Sequence, residues 1–325
     1  MCKLRELSIL KEKIIFPSRS SFTEAEAKQM KIFITGASGY IGGSVAAHLA
    51  ANGHQIRGLI RDQSRAGELR SFGIEPVVGT LNNSDLLMAE AQNADAVINA
   101  ADSDHRGAVE ALLKGLEGSG KPFLHTSGSS LVGDEALGEP SDAIFTEETP
   151  VTPAPDKVAR IAIDTLIRNA APDIRSVVLC NTMIYGRHLG PISQSVQIPP
   201  LVAQARESGI SRHIGRGLNR WSNVHIADVA ALYELALTKA PAGSFYFVEN
   251  GEASFREITD AIGDALGLGS SQDWAPEEAI KLWGRELAVF GLSSNSRVRA
   301  DKARRELGWT PAHRSVTDWI RQDLA

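Results

Sequence analysis

From Lys31 onward, short apolar runs alternate with longer segments in which apolar residues recur every three or four positions. The short runs are typical of buried strands, and the longer segments are typical of amphipathic helices. The predicted strands are Lys31–Thr35, Gln55–Ile60, Glu75–Val78, Ala96–Ala100, Pro122–Thr126 and Ser176–Asn181. Strands that alternate with helices form a parallel sheet with crossover helices, so the pattern predicts a doubly wound α/β fold.

A glycine-rich turn follows the first strand directly and opens a helix that we predict to run to about Ala51. Gly36 permits a tight turn, Gly39 lets the backbone approach a pyrophosphate, and Gly42 lets the helix pack closely on the strand. The N–H groups at the helix N-terminus favour phosphate. The turn therefore predicts a Rossmann dinucleotide site, whose residues here are Gly36, Ser38, Gly39, Tyr40, Ile41 and Gly42.

The end of the second strand indicates which dinucleotide is bound. A site for NAD usually places a carboxylate there, on the ribose hydroxyls. In this chain the strand ends in Arg61, with Asp62 next and Arg65 beyond. Because an arginine can bind a 2′-phosphate with two hydrogen bonds, we predict NADP(H) in preference to NAD(H). The alternative is that Arg61 is a solvated surface charge and Asp62 turns in to the ribose.

After Tyr185 the pattern changes. Residues 186–200 are rich in Gly, Pro and Ser and predict a loop that covers the pocket, and helices and short strands follow it. Before Lys31 the chain carries mixed charge and only a short apolar patch. We expect an N-terminal extension (1–29) that is dispensable, although a functional segment is an alternative. A Rossmann domain (30–185) follows, and then a smaller, mainly substrate-binding lobe (186–325) with segments that return to the sheet.

Composition limits the class of function. A net charge of −5 argues against a nucleic-acid surface. No apolar run approaches the roughly 18–20 residues that a membrane span needs. Cys2 and Cys180 form neither a CxxC pair nor a metal cluster, which favours a reducing compartment. We expect a cytoplasmic protein with a small-molecule substrate, and with no nucleic-acid, membrane or metal partner.

Several further segments occur in a specific order and spacing. They are Asn99–Ala101, His125–Ser127, Ile184–Gly186, Val224–Val229 and Ala303–Trp309. Together with the glycine turn they resemble the short-chain dehydrogenase/reductase superfamily, in its extended, NAD(P)-dependent epimerase/dehydratase-like branch, over about residues 31–312. The resemblance adds Asn99, Ala100, Ala101 and Lys157 to the predicted cofactor site. A homodimer joined through the helices of the fourth and fifth crossovers would suit the family.

The resemblance also implies a Ser, a Tyr and a Lys as catalytic residues, the last two spaced as YxxxK. Lys157 is present, but Pro153 stands at the Tyr position. None of the four tyrosines has a lysine four residues later, and the usual serine position falls on Gly128. The chain is thus an atypical member, to which the ordinary mechanism does not transfer. The catalytic candidates are Lys157, which anchors the ribose or acts as an acid, Ser127, Ser129, and Tyr185 as a substitute proton donor or an ordinary packing residue.

Arg220, Trp221 and Asn223 are the predicted substrate residues. In the sugar-nucleotide branch an arginine like Arg220 meets the substrate diphosphate, so an anionic substrate is allowed. A salt bridge from Arg220 to Asp228 or a surface role is the alternative. Three functions remain open: an NADP(H)-dependent oxidoreductase of a small carbonyl or alcohol, a non-catalytic NADP(H) sensor or scaffold, and a sugar-nucleotide epimerase or dehydratase.

Overall fold

The computed structural model describes residues 29–324, so the predicted extension of residues 1–29 lies, apart from Gln29, outside the described residues. The strands are β1 (Lys31–Thr35), β2 (Gln55–Ile60), β3 (Ile74–Val78), β4 (Ala96–Asn99), β5 (Pro122–Gly128), β6 (Arg175–Asn181), β7 (Met183–Tyr185), β8 (Arg212–Ile214), β9 (Arg220–His225), β10 (Ser244–Val248), β11 (Glu252–Ser254) and β12 (Gln272–Trp274). The helices are α1 (Tyr40–Ala51), α2 (Ala66–Ser71), α3 (Ser84–Asn93), α4 (Arg106–Leu116), α5 (Val158–Arg168), α6 (Ile198–Ser208), α7 (Ile226–Lys239), α8 (Phe255–Leu266), α9 (Pro276–Arg285), α10 (Asp301–Leu307) and α11 (Val316–Asp323).

Seven strands form one parallel sheet in the order β10-β6-β5-β4-β1-β2-β3. The predicted doubly wound fold is confirmed, and β10, which lies in the C-terminal part of the chain, adds a seventh strand to the predicted six. From β1 the chain builds one edge through β2 and β3, and then the other edge from β4. Because strand order reverses between β1 and β4, the crevice for a ligand opens at their carboxyl ends.

Both faces of this sheet are covered, because alternate residues of each strand point to opposite faces. Ile32 and Ile34 pack on the side of α1, α7 and α10, whereas Phe33 packs on the side of α3, α4 and α5. A second apolar core lies in the C-terminal lobe around α6, α8 and α11, and it contains Tyr185 and Trp221.

Several boundaries differ from the predicted ones by one to three residues. The helix α6 begins at Ile198, within the predicted loop, because the two prolines that follow sit in its first turn, where no backbone N–H is needed. The helix α5 starts at Val158, after a 3₁₀ turn over Pro155–Lys157. The fifth strand continues to Gly128 because it pairs with β6 as far as Asn181.

The backbone of the glycine turn lies in very close contact with its neighbours. Gly36 has φ +70°, and a Cβ there would lie 2.7 Å from the Ala100 carbonyl oxygen. A Cβ on Gly42 would lie 2.4 Å from the Gly36 carbonyl oxygen. These positions exclude any side chain, because their neighbours are backbone atoms that cannot move aside cheaply.

This contact predicts opposite outcomes for two alanine substitutions. Gly42→Ala should lower the free energy of unfolding by more than about 1 kcal/mol, because its Cβ overlaps the turn. Gly67→Ala in α2, where a Cβ meets nothing within 4 Å, should raise it by roughly 0.5–1 kcal/mol. Urea denaturation of both variants checks this, and a Gly42→Ala protein as stable as the wild type would contradict the packing described.

Candidate cofactor and active site

The N-terminus of α1 points at the crevice between β1 and β4. Gly39 is its N-cap residue, and its N–H donates to the Gly36 carbonyl at 2.8 Å. No side chain caps this helix. The N–H groups of its first turn are therefore free to bind a ligand. They lie beside glycines at which there is no space for a Cβ. This arrangement suits the pyrophosphate of a dinucleotide.

Asn99 lies at the carboxyl end of β4 but is not free for a ligand. Its Oδ1 accepts from Thr35 Oγ1 at 2.5 Å, and its Nδ2 lies 3.1 Å from His125 Nδ1. The side chain is buried and joins the ends of β1, β4 and β5. Ala100 and Ala101, which follow, lie directly against Gly36. Of the three residues predicted here, the two alanines thus line the crevice, and Asn99 supports it from below.

The two arginines predicted for a 2′-phosphate have different surroundings. The Arg61 side chain is exposed at the end of β2, and it makes no hydrogen bond or ion pair with any residue that the structure describes. Arg65 is already bound, donating to Glu68, to the Ser38 carbonyl and to the Ile192 carbonyl, each at 3.0 Å.

Asp62 does not turn toward a ribose in this structure. Its carboxylate accepts from the Ser64 N–H at 2.9 Å and caps the short 3₁₀ turn that follows β2. Hydrogen bonds from Ser64 hold the pKa of this exposed carboxyl below its usual range. Asp62 therefore stabilises the turn, and Arg61 is the unpaired charge at this end of the sheet.

Residues 186–193, which we call the strap, cross the N-terminal half of α1. Tyr40 donates its hydroxyl to the Gly186 carbonyl at 2.7 Å, and Ser44 Oγ accepts from the Leu189 N–H at 3.1 Å. Glu68 accepts from the Ile192 N–H at 2.6 Å, opposite the bond from Arg65 to the same residue. Burial raises the pKa of the Tyr40 hydroxyl. The strap therefore covers the glycine turn from the side of the C-terminal lobe.

The hydroxyls of Ser127 and Ser129, on either side of Gly128, are both committed to internal hydrogen bonds. Ser127 donates to Asp164 at 2.8 Å, and Ser129 accepts from Ser296 Oγ at 2.8 Å. Both serines are buried. The structure therefore places neither hydroxyl in the open crevice.

Lys157 is buried and surrounded by acidic groups. Its Nζ lies 2.8 Å from Asp156 and 3.6 Å from Glu286, and 5.3 Å from the centre of the Phe290 ring. These contacts hold the Lys157 side chain beside the start of α5.

Tyr185 lies in the core of the C-terminal lobe. Its ring packs against His225 and Trp319, with ring centres 5.2 and 5.7 Å away. Its hydroxyl is buried and has no hydrogen-bond partner among the described residues. Burial raises its pKa, which makes it a weaker acid. These surroundings are those of a packing residue, and they do not support a proton donor.

The three predicted substrate residues do not form an open site. Arg220 lies 3.3 Å from Glu252 and 3.1 Å from Glu257, and not beside Asp228. Trp221 is buried and donates its indole N–H to the Ser294 carbonyl at 3.0 Å. Asn223 is also buried. Arg220 is thus held in ion pairs, although Glu252 is shared with Arg297 at 3.0 Å and Arg299 at 3.3 Å. The other two residues belong to the core.

Sequence reasoning missed Arg160, one turn after Lys157. Its Nε donates to Asp104 at 2.8 Å, its Nη2 donates to the other oxygen of the same carboxylate, and its Nη1 donates to Ser130 at 3.0 Å. A basic residue three positions after the family's lysine was a visible signal. Its partners, 56 and 30 residues away, were not.

A buried polar pair was also missed. His125 Nε2 and Asp164 Oδ1 are 3.8 Å apart, and neither has another partner among the described residues. Burial lowers the pKa of His125 to about 4. Burial also raises the pKa of Asp164 to about 6, although the Ser127 hydrogen bond opposes the rise. At neutral pH the histidine is therefore neutral.

These two residues make opposite contributions to the pH dependence of stability. Between about pH 6.5 and pH 4 this histidine is protonated in the unfolded chain but not in the folded protein. The contribution of His125 to the free energy of unfolding therefore falls as the pH falls toward 4. Folded Asp164 binds a proton below about pH 6, well before the unfolded residue does, so its contribution rises as pH falls. In the wild-type protein the two contributions partly cancel.

When the pH is lowered from 7 to 5, the free energy of unfolding should therefore fall further in Asp164→Asn than in the wild type. The difference between the two falls should be roughly 1–3 kcal/mol. The amide oxygen can still accept from Ser127, so the local structure is kept. His125→Gln is the complementary variant and should show the opposite change. Urea denaturation at the two pH values measures both, and superimposable profiles for Asp164→Asn and the wild type would refute the assignment.

Tyr185→Phe should leave stability unchanged or raise it slightly, because it removes a buried hydroxyl without a partner. Tyr233→Phe is the matched control, since the Tyr233 hydroxyl bonds to Thr126 at 2.8 Å and to Asn181 at 3.0 Å. The control should lose roughly 1–2 kcal/mol. Thermal denaturation compares them, and a large loss of stability in Tyr185→Phe would show that its hydroxyl has a partner.

Two possible kinds of site find no support in residues 29–324. No helix there is long and apolar enough to cross a membrane. No group of three or more His, Cys, Asp or Glu side chains in that range could hold a metal ion.

Several known proteins are similar to this chain in sequence or in fold. The model of the NAD-dependent epimerase/dehydratase family matches residues 32–248. The oxidase ucsJ from Acremonium sp is 33% identical over 324 residues, covering 86% of this chain and 92% of that protein. A ketoreductase of Stigmatella aurantiaca, named for a dihydroquinoline-1-oxide, is 24% identical and covers 90% of this chain and 96% of its own.

Among solved structures, a dTDP-glucose 4,6-dehydratase from Bacillus anthracis in complex with NAD has a TM-score of 0.72 at 19% identity. The match covers 91% of this chain and 95% of that one. At this identity the likeness concerns the fold, whereas the family model spans most of the chain. With its seven-stranded parallel sheet and its glycine turn, this chain belongs to the NAD-dependent epimerase/dehydratase family.

Proposed function

We propose that this chain is an NADP(H)-dependent oxidoreductase of a small carbonyl or alcohol substrate. The observation that carries the cofactor preference lies at the end of β2. Arg61 is exposed and unpaired among the described residues, and the neighbouring carboxylate of Asp62 is committed to capping a turn. An unpaired guanidinium there favours a 2′-phosphate, whereas an NAD site would need the carboxylate.

The cofactor would be held by groups that the fold already orients. The first-turn N–H groups of α1 face the place of the pyrophosphate, and Arg61 would bind the 2′-phosphate. Lys157 is the residue that the family pattern assigns to the nicotinamide ribose. When bound, NADP(H) supplies or accepts the hydride. The strap and the alanines after β4 lie on either side of the glycine turn.

One observation favours an oxidoreductase over a sugar-nucleotide enzyme. The relative that is 33% identical to this chain is an oxidase. A UDP-glucose 4-epimerase from Streptomyces lividans and the dTDP-glucose 4,6-dehydratase named above are 25% and 19% identical.

A non-catalytic NADP(H) sensor is the second candidate. It is favoured by the commitment of the Ser127 and Ser129 hydroxyls to internal hydrogen bonds, since neither is free to hold a substrate. Calorimetric titration with NADPH, NADP⁺, NADH and NAD⁺ separates the two candidates. Similar affinities for NADPH and NADP⁺ support an enzyme that uses both redox states in each catalytic cycle. A large preference for one redox state supports a sensor.

Arg61→Ala should weaken NADPH binding roughly ten- to a hundred-fold, because a charge-assisted hydrogen bond is worth about 1.5–3 kcal/mol. NADH binding should change less than about three-fold. Arg70→Ala is the matched control, since Arg70 is exposed near the opposite end of α2 and lies 3.6 Å from Glu75. It should change neither affinity. Equal weakening of NADPH and NADH by Arg61→Ala would remove the 2′-phosphate role.

A further inference from the structure

Arg160 occupies the place where the family pattern puts a catalytic serine. It lies in the first turn of α5, and its side chain reaches Asp104 after β4 and Ser130 after β5. A Cβ built on Gly128 would lie 3.7 Å from Arg160 Nη1, which is ordinary van der Waals contact. The guanidinium is therefore the neighbour of the position at which the family pattern has its serine.

We propose that Arg160 binds an oxygen of the substrate, either the carbonyl oxygen or a carboxylate oxygen beside it. The inference rests on the proposed oxidoreductase function, because that function places the substrate at this edge of the sheet. It assigns to one cation the role that the family divides between a serine and a tyrosine, neither of which this chain offers at its usual position.

The guanidinium has hydrogen-bonding capacity left for a ligand. Arginine has five N–H donors, and three of them are used, two on Asp104 and one on Ser130. Two N–H groups therefore have no acceptor among the described residues. The side chain is 18% exposed, so it is partly desolvated and still accessible to a small ligand. In such surroundings an ionic hydrogen bond is stronger than in water.

The contact with Asp104 shows what the site accepts. The carboxylate is bound by Nε and Nη2 together, which is the two-point geometry that arginine uses for oxyanions. Asp104 itself is half exposed, in the loop after β4. Arg160, and to a lesser degree the nearby Lys157, hold the pKa of this carboxyl below its usual range. Two cations thus act on the same small region.

In a carbonyl reduction this placement has a defined chemical role. A bound reduced nicotinamide would supply the hydride to the carbonyl carbon, and the π electron pair of the C=O bond would move to the oxygen. Arg160 would stabilise the negative charge that develops there. Arginine keeps its own proton at any accessible pH, so the proton that completes the alcohol comes from water.

The test uses benzoate and acetate as oxyanion probes, titrated by calorimetry into the protein saturated with NADP⁺. The wild type should bind at least one of them, and Arg160→Ala should weaken that binding at least ten-fold. Asp104→Asn should tighten it several-fold, because a competing carboxylate is removed. Arg168→Ala, which removes an exposed charge two turns along the same helix, should change it less than two-fold. The affinity for NADP⁺ should stay within about three-fold throughout.

Three results would overturn the proposal: no binding of either probe by the wild type, equal binding by folded Arg160→Ala, or weaker binding by Asp104→Asn. If Arg160→Ala does not fold, the affinity of Arg160→Lys for the probes is measured in its place. The proposal then also requires that Asp104→Asn binds the probes more tightly than the wild type. The NADPH-dependent reduction of benzaldehyde and other carbonyl compounds tests the proposed function separately. Probe binding that needs Arg160 without any turnover would reject the oxidoreductase alone, and undiminished turnover in Arg160→Ala would reject the role of Arg160 alone.

Discussion

The close contact between the glycine turn and the carboxyl end of β4 is the constraint on which the rest of the site depends. Gly36 approaches Ala100 so closely that no side chain fits between them. This contact fixes the direction of α1 and aims its uncapped first turn at the crevice. The Thr35–Asn99–His125 hydrogen bonds hold the three neighbouring strand ends in register behind it. The phosphate-binding geometry is therefore set by the backbone before any ligand arrives.

The strap extends this constraint to the C-terminal lobe. It rests on α1 so tightly that a Cβ on Gly190 would lie 2.3 Å from the Gly43 carbonyl oxygen. Arg65 and Glu68 bind the carbonyl and the N–H of Ile192 from the side of α2. The two parts of the chain are thus joined around the predicted cofactor site. Arg65 links them, whereas Arg61 has no hydrogen-bond or ion-pair partner among residues 29–324.

Near Gly128 the chain differs from the family pattern at several neighbouring side chains. Gly128 stands at the position of the family's serine, and Arg160 lies beside it. Ser127 in β5 and Ser129 just after it bond to Asp164 and Ser296. Under our proposal a fixed positive charge, and not a proton-donating hydroxyl, would face the substrate. Such a site would stabilise charge and leave proton transfer to water.

Sequence patterns were sufficient for the parts of the molecule that local physics determines. The sheet and the glycine turn follow from periodicity and from backbone requirements that are visible within a few residues. The partners of side chains were not predictable in the same way. Arg65 bonds to a residue 127 positions away, and Arg220 pairs with Glu257 rather than Asp228. Tyr185 is a packing residue because Trp319, far along the chain, covers it. These contacts depend on tertiary structure.

The decisive measurement is a crystal structure of the protein with NADP⁺. We expect the pyrophosphate at the N-terminus of α1, the 2′-phosphate within hydrogen-bonding distance of Arg61, and Asp62 still bound to Ser64. A complex in which Asp62 binds the ribose hydroxyls and Arg61 points into solvent would contradict this expectation, as would a dinucleotide that avoids the glycine turn.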